Sequence, residues 1–326
     1  MPKVTILVAA YNASAYLRCC LDSLLSQTLD DFQAICVDDA STDDTLSILR
    51  EYHTRDHRIE VIHLSQNQGQ AHARNIGLAQ ARGSYICMLD ADDWFSPNAL
   101  QEAVDAFNTQ EDIDSVLFEV SLDDGEHAET YAMPQFQTLT GKEAFRLSLT
   151  WQIHGLYMVR ANIHMQYPYD ETCLLYSDDN TTRLHFLASR RVAHCSGVYH
   201  YRQHAASSTH AVTVRRFDYL RANESMLKTL QKLHVSSDIL IQYENHRWLN
   251  IIDVYMFYHV HGKSLSADDR RYGIRQLHQA WKSIHRELLT KKVICKLGYY
   301  PMPTWCLFRF EEWIYFTLRG LLGKNR

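Results

Sequence analysis

Tyr85-Ile86-Cys87-Met88-Leu89-Asp90-Ala91-Asp92-Asp93 is the stretch on which the fold turns. Its first five residues form a short continuous apolar run, the pattern of a strand buried on both faces of a parallel sheet. Carboxylates follow at once. The same pattern recurs upstream. Val4-Thr5-Ile6-Leu7-Val8 is a β-branched run, Ala34-Ile35-Cys36-Val37 leads into Asp38-Asp39-Ala40-Ser41-Thr42-Asp43, and Ile59 to Leu64 reads as a third strand. Helical spacing separates these runs. Leu17, Leu21, Leu24 and Leu25 follow Ser14, read as an N-cap. Ser41 or Thr42 is expected to cap a helix with Asp43 and Asp44 in its first turn, and a further helix is expected from Gln70 to Gln80. Ser96-Pro97 opens another, and Ser115 to Val120 is a fifth strand. This alternation predicts an α/β fold with a doubly wound, mostly parallel sheet. In such sheets the functional crevice lies at the carboxyl edge of the strands, where these acids fall.

The bulk numbers narrow the class. At 326 residues the chain can bury a substantial core, and 46% hydrophobic with 22% charged residues is ordinary for a globular protein. A net charge of -5 argues against a nucleic-acid binder, which gains from excess Lys and Arg. The 18 histidines are scattered and form no HExxH. Eight cysteines in a chain this long do not make a disulfide framework, and the one close pair, Cys19-Cys20, is too tight for CxxC. A reducing, cytoplasmic setting is therefore expected. Met1-Pro2-Lys3 leads directly into the first strand and leaves no room for a signal peptide. No apolar run is long enough to span a bilayer.

Beyond the turn signal Asp123-Asp124-Gly125 the pattern is mixed, with short strands around Thr130–Met133 and Val192–Tyr201 and helices around Gly141–Leu149 and Thr181–Ser189. From about Val214 the chain reads as helical, so a boundary is placed near residue 210: an α/β domain over 1–210, and a helical region over 211–326.

Three groups carry chemistry. Asp90 and Asp92, one residue apart in an extended turn, can share a hard cation such as Mn²⁺ or Mg²⁺, with phosphate oxygens completing the shell. The plain alternative is an acidic loop capping the next helix. Asp38 and Asp39 can accept from a base N–H or a ribose hydroxyl, or simply cap. Arg74, in Asn67-Gln68-Gly69-Gln70-Ala71-His72-Ala73-Arg74-Asn75-Ile76-Gly77, offers a planar fork to a diphosphate or a nucleobase carbonyl, or is an ordinary surface arginine.

In order, these segments resemble the family 2 glycosyltransferases, a large inverting group with the GT-A fold. The resemblance starts at Ile6-Leu7-Val8-Ala9-Ala10-Tyr11-Asn12 and runs through Tyr16-Leu17 and Leu21-Asp22-Ser23-Leu24-Leu25-Ser26-Gln27-Thr28. It takes in the three motifs above and reaches Leu175-Tyr176-Ser177-Asp178-Asp179, Tyr199-His200-Tyr201-Arg202 and Ser207-Ser208. The family usually has Pro at the place of Ala9, Gly at that of Ala40, and Glu-Asp at that of Asp178-Asp179. The resemblance implies that Ala10, Tyr11, Asp39, Asn67 and Arg74 line a nucleoside pocket. It implies that Asp90 contacts the ribose or the metal shell, and that Asp92 is the main metal ligand. It places His204 as a late metal or diphosphate contact, against the plain reading of a surface-loop histidine. The resemblance further implies that Asp179 is the catalytic base, with Asp178 as the alternative. The implied donor is a nucleotide diphosphate-sugar, a UDP-sugar foremost, and the implied acceptor is a saccharide or a lipid-linked one, in the synthesis of cell-surface polysaccharide or glycolipid.

Rival classes fit less well. A nucleotidyltransferase usually shows a Gly-rich basic loop after its first strand, which Ala9 to Ala15 lacks, and an NAD-type Rossmann enzyme would show GxGxxG there. A non-catalytic binding module should lack an acid on the acceptor side, where Asp178 and Asp179 stand. Trp151 can shape an acceptor pocket or belong to the core. In the tail, Trp305, Leu307, Phe308, Trp313, Ile314, Phe316, Leu321 and Leu322 form a wide apolar surface on a helical wheel, with Arg309, Glu312 and Arg319 opposite. That helix is expected to lie at a membrane interface, giving peripheral contact with the inner face of the plasma membrane, or to pack on its own domain or in a homodimer.

Overall fold

The computed structural model describes residues 1–172, 176–204 and 212–324. Leu175, Ser207, Ser208 and the expected boundary near 210 lie outside these described residues. The chain divides into two compact units, Met1–Glu171 with Asp178–Ser207, and Thr172–Ser177 with Ser208–Arg326.

The first unit begins as alternating strands and helices: β1 (Val4–Ala10), α1 (Leu17–Leu25), β2 (Phe32–Asp38), α2 (Thr45–Arg55), β3 (Ile59–His63), α3 (Gln70–Leu78) and β4 (Tyr85–Met88). Next come β5 (Trp94–Phe95), α4 (Ala99–Thr109), β6 (Ile113–Asp123), β7 (Ala128–Thr130), β8 (Thr138–Thr140) and α5 (Gly141–Ser148). The unit ends with β9 (Tyr157–Arg160), α6 (Ala161–Gln166), α7 (Ser177–Ala188), whose first residue belongs to the second unit, and β10 (Arg191–Arg202). One sheet runs in the order β3-β2-β1-β4-β9-β6-β10-β5. Strands β1 to β4 pair in parallel, as do β6 and β10. The expected mostly parallel sheet is thus present, with β9 set antiparallel between β4 and β6. Burial explains the apolar runs: every residue of β2 is buried, and Ile6, Val8, Ala34, Cys36 and Cys87 pack with Leu17, Leu21 and Leu24 of α1.

Two capping expectations are corrected. Ser14 does not cap α1; Tyr16 precedes that helix and makes no side-chain cap bond. The Ser14 amide instead donates to Asp43 Oδ2 at 3.1 Å. Neither Ser41 nor Thr42 caps α2, which starts at Thr45. Asp43 accepts from the Thr45 amide at 3.0 Å. Desolvation works against the Asp43 charge, yet the hydrogen bonds from Ser14 and Thr45 outweigh it and lower its pKa to about 2. Asp43 ties the loop after β1 to the start of α2, and Ser41 Oγ accepts from the Asn12 amide at 3.0 Å instead of capping.

The second unit holds α8 (Asp218–Lys232), α9 (Ser237–His261), α10 (Ala267–Lys282), α11 (Lys291–Ile294) and α12 (Trp305–Leu321). Its core gathers Phe217, Trp248, Tyr255, Leu277, Phe308 and Phe316. Among the described residues no helix is long and apolar enough to cross a membrane.

Candidate active site

Each loop at the carboxyl edge of the first four strands is tied to its neighbour. After β1, Asn12 sits at φ +49°, a left-handed conformation that Asn tolerates. Its amide donates to Ser41 Oγ at 3.0 Å and its side-chain oxygen accepts from the Thr42 amide at 2.9 Å. Ala10 accepts from the Asp39 amide at 2.9 Å. Tyr11 beside it is exposed. Ala40, where the family usually has Gly, is held at φ +58°, which strains an L side chain.

Asp38 and Asp39 divide their work. Asp38 is buried and meets His63 Nδ1 at 2.7 Å. Asp39, also buried, accepts from the Gln68 and Gly69 amides, both at 2.8 Å, and its carbonyl accepts from Asn67 Nδ2 at 3.3 Å. The structure therefore joins Asp39 and Asn67 in one turn. Gly69, at φ +93°, ends that turn and starts α3. The next residue, Gln70, donates to Asp90 Oδ1 at 3.1 Å.

Arg74 is not a surface residue. It is buried on α3, and its Nη2 donates to Asp90 Oδ1 at 2.5 Å. Its guanidinium lies 5.2 Å from the centre of the Tyr169 ring. Burial opposes its charge, but Asp90 more than compensates, so it stays protonated. The acids after β4 are crowded. Asp90 is raised by burial and by the charges of Asp92 and Asp178, with Arg74 opposing. Asp93 is also raised, by burial and by Asp90. It turns inward: Oδ1 accepts from the Arg202 amide at 2.7 Å and Oδ2 from the Tyr199 hydroxyl at 2.8 Å. That hydroxyl in turn accepts from the Asp90 amide at 3.0 Å. Arg202 Nε donates to the Asp92 carbonyl at 2.9 Å, and its guanidinium stacks over Trp94 and Tyr16.

Asp92 is the acid of this turn that faces outward. Its Oδ2 lies 3.0 Å from His204 Nε2, and His204 stacks on Tyr16. Among the described residues no group of three His, Cys, Asp or Glu could hold a metal. Asp92 and His204 could supply two ligands, a carboxylate oxygen and an imidazole, to a divalent cation such as Mn²⁺. Adjacent ligands about 2.1 Å from an octahedral ion lie about 3 Å apart, so this pair fits one edge of such a shell.

Asp178 and Asp179 stand in the first turn of α7, where the helix dipole favours negative charge. They look in different directions. Asp178 lines a small internal cavity with Tyr157, His164, Tyr169 and Thr182, and its charge is felt at Arg74 and Asp90. Asp179 Oδ2 lies 3.6 Å from Arg183 Nη2, and the Arg183 guanidinium sits 5.7 Å from the Trp151 ring centre. Trp151 is not a core residue: it is 43% exposed, at φ +54°.

The structure thus links Asp39, Asn67, Arg74 and Asp90 through the 67–74 segment, and Asp92 and His204 directly. The sequence assigned no role to Tyr199, Gln70 or Tyr169. For Tyr199 the alternation of β10 was the available signal, since Tyr199 is fully buried between partly exposed neighbours.

Residues 5–167 match the family model described as Glycosyl transferase family 2. A stretch of 112 residues is 40% identical to a putative glycosyltransferase, EpsH, of Bacillus subtilis, covering 34% of this chain and 32% of that protein. The chain therefore matches about a third of the length of that curated relative. Among solved structures, S. aureus TarS 1–349 in complex with UDP-GlcNAc superposes with a TM-score of 0.77 at 18% identity, covering 99% of this chain and 92% of that one. A mannosyltransferase from Pyrobaculum calidifontis, in complex with GDP-Man and Mn²⁺, gives 0.52 at 17% identity, covering 99% and 88%. At these identities the likeness is one of fold.

Proposed function

The chain belongs to glycosyl transferase family 2, and from that premise we propose that it transfers a sugar from a nucleotide diphosphate-sugar, a UDP-sugar foremost, to a hydroxyl on a saccharide or lipid-linked acceptor, with inversion. The observation that carries this reading is the Arg74–Asp90 pair beside the outward-facing Asp92–His204 pair, all at the carboxyl edge of the sheet. The proposed division follows the notion of a donor-binding and catalytic domain over 1–210 and a helical region over 211–326. Surface-polysaccharide or glycolipid synthesis at the cytoplasmic side of the membrane is the proposed setting.

In this reading Ala10, Tyr11 and Asn67 border the nucleoside. Asp39 keeps the 67–69 turn in shape through its two amide bonds and offers its remaining lone pairs to the base. Arg74 acts through Asp90, aiming that carboxylate and opposing the rise that burial and the neighbouring acids impose on it. Asp92 and His204, with Asp90 near, would hold Mn²⁺ or Mg²⁺, which supplies Lewis-acid neutralisation of the leaving diphosphate. Asp179 takes the proton of the attacking hydroxyl, and Asp178 is its rival for that role. Trp151 offers an exposed aromatic face suited to a sugar ring on the acceptor side. Fixing donor and acceptor in line provides much of the acceleration.

The test is donor hydrolysis and transfer over a panel of nucleotide sugars with Mn²⁺. The expected result is turnover of one donor that depends on metal and collapses in Asp92→Asn. Donor binding without turnover under any acceptor or metal would instead make this a binding module.

A further inference from the structure

The last helix is apolar on the wrong side. Phe308, Glu312 and Phe316 of α12 face the core of the helical unit. On the opposite face Leu307, Phe310, Ile314, Leu318 and Leu321 recur at three- and four-residue steps, the spacing normally turned inward. All five are exposed, Phe310 by 60% and Leu321 by 80%. Trp313, 55% exposed, flanks the stripe. A contiguous apolar strip of this kind marks a contact surface.

Charge says what covers it. The whole chain carries -5, yet from Lys282 to Arg326 there are nine Lys and Arg against three Glu. One of those three, Glu312, is buried. Lys291, Lys292, Lys296 and Lys324 are exposed. Lys296 sits 5.7 Å from the Tyr299 ring centre, and Tyr299 meets Tyr315 of α12 at 6.0 Å, so this basic segment borders the helix. Leu297 and Tyr300, either side of the Gly298–Tyr299 pair that meets Tyr315, are exposed as well. Lys324 follows the helix end, its carbonyl held by Arg319 Nη2 at 2.6 Å. A two-fold dimer through this face would set the same surface against itself. It would bring lysines toward lysines with few acids to pair them.

We propose that the outer face of α12, with Lys291, Lys292, Lys296 and Lys324, docks the protein on an anionic lipid surface, the helix lying in the interface plane. Apolar side chains enter the boundary between headgroups and acyl chains, and the lysines meet the negative surface potential. This inference stands on the helical unit alone and does not require the sugar-transfer reading.

The experiment is co-sedimentation of the full chain with phosphatidylcholine vesicles, with and without phosphatidylglycerol. Binding is expected only with phosphatidylglycerol. A Trp313→Glu, Leu318→Glu variant and a Lys291→Glu, Lys292→Glu variant should each lose about tenfold in affinity, and raised salt should weaken the wild type, because apolar burial and surface charge both contribute. These side chains are exposed, so melting temperatures should be unchanged, and circular dichroism checks that. A wild type that stays in the supernatant with anionic vesicles overturns the proposal. So does equal binding by all three forms. A dimer in light scattering that Trp313→Glu dissolves, with no vesicle binding, assigns the face to a second copy and overturns it as well.

Discussion

The carboxylates of the sheet edge and the carboxyl of Glu312 in α12 are treated in opposite ways, while Glu244 of the helical unit is buried but paired, accepting from Arg247 Nη1 at 2.8 Å and the His285 amide at 2.7 Å. In the α/β unit Asp39, Asp90 and Asp93 each accept two or more hydrogen bonds within hydrogen-bond distance of named donors. In the helical unit Glu312 is fully buried among Phe308 and Phe316, and neither of its oxygens has a hydrogen-bond partner among the described residues. Burial, with Glu311 adding to it, pushes the Glu312 carboxyl up to about 9, so it is neutral at pH 7. The acids at the sheet edge are held in place by their donors, even though burial and mutual repulsion raise Asp90 and Asp93. Glu312 is tolerated only as an uncharged group. One region invests its polar groups in a site, and the other hides a carboxyl and turns its apolar side chains outward.

The sharpest way to break this contrast is at the proposed chemistry. Asp179→Asn should lower kcat by about 10³-fold if Asp179 is the base, with donor affinity retained. Asp178→Asn is the control, and the larger loss identifies the base in steady-state kinetics. Asp92→Asn should cost about 10²-fold, through loss of charge stabilisation at the leaving group. Arg74→Ala comes next. It strands Asp90, whose side chain is 24% exposed, and should destabilise the α/β unit by about 3 kcal/mol in urea unfolding, the low end for a broken buried pair.

Glu312→Gln tests the other side of the comparison. The folded-state pKa lies above the unfolded one, so the folded form holds a proton that the unfolded form releases between about 4.5 and 9. Stability of the helical unit should therefore fall as pH rises through that window. The variant should match the wild type near pH 4.5 and melt above it at pH 8, by an amount that grows with pH. A constant difference across pH would mean that Glu312 is already ionised. The smallest effect is expected from Ala40→Gly, which relieves a φ of +58° and should stabilise by about 1 kcal/mol.

Particular residues show what could be read from sequence. Strands β1, β2 and β4 were legible because continuous apolar runs are buried on both faces. Strand β9 was not. Its four residues, Tyr157–Arg160, are too few to display a period, and only pairing with β4 and β6 defines it. The edge cluster was legible in its members but not in its bonding. From its residue type alone Arg74 could equally be a surface arginine, and its burial depends on Asp90 and on Tyr169, which lies far away in sequence. The sequence allowed Asp38 and Asp39 to divide their roles, and the fold shows how, facing one to His63 and the other to the 68–69 amides. The helical wheel of the tail grouped Phe308 and Phe316 with Leu307, Ile314 and Leu321 and set Glu312 opposite; the structure instead buries Phe308, Glu312 and Phe316 together and leaves Leu307, Ile314 and Leu321 outside, because the core of the helical unit selects the inward face.

Calorimetric titration of UDP and of GDP into the wild type and Asp92→Asn, each with Mn²⁺ and with chelator, probes the proposed site most directly. Tight binding of one nucleotide to the wild type only with metal, and its loss in the variant, is the expected result. Equal binding with and without metal, or in both proteins, would contradict a diphosphate gripped through a cation at Asp92.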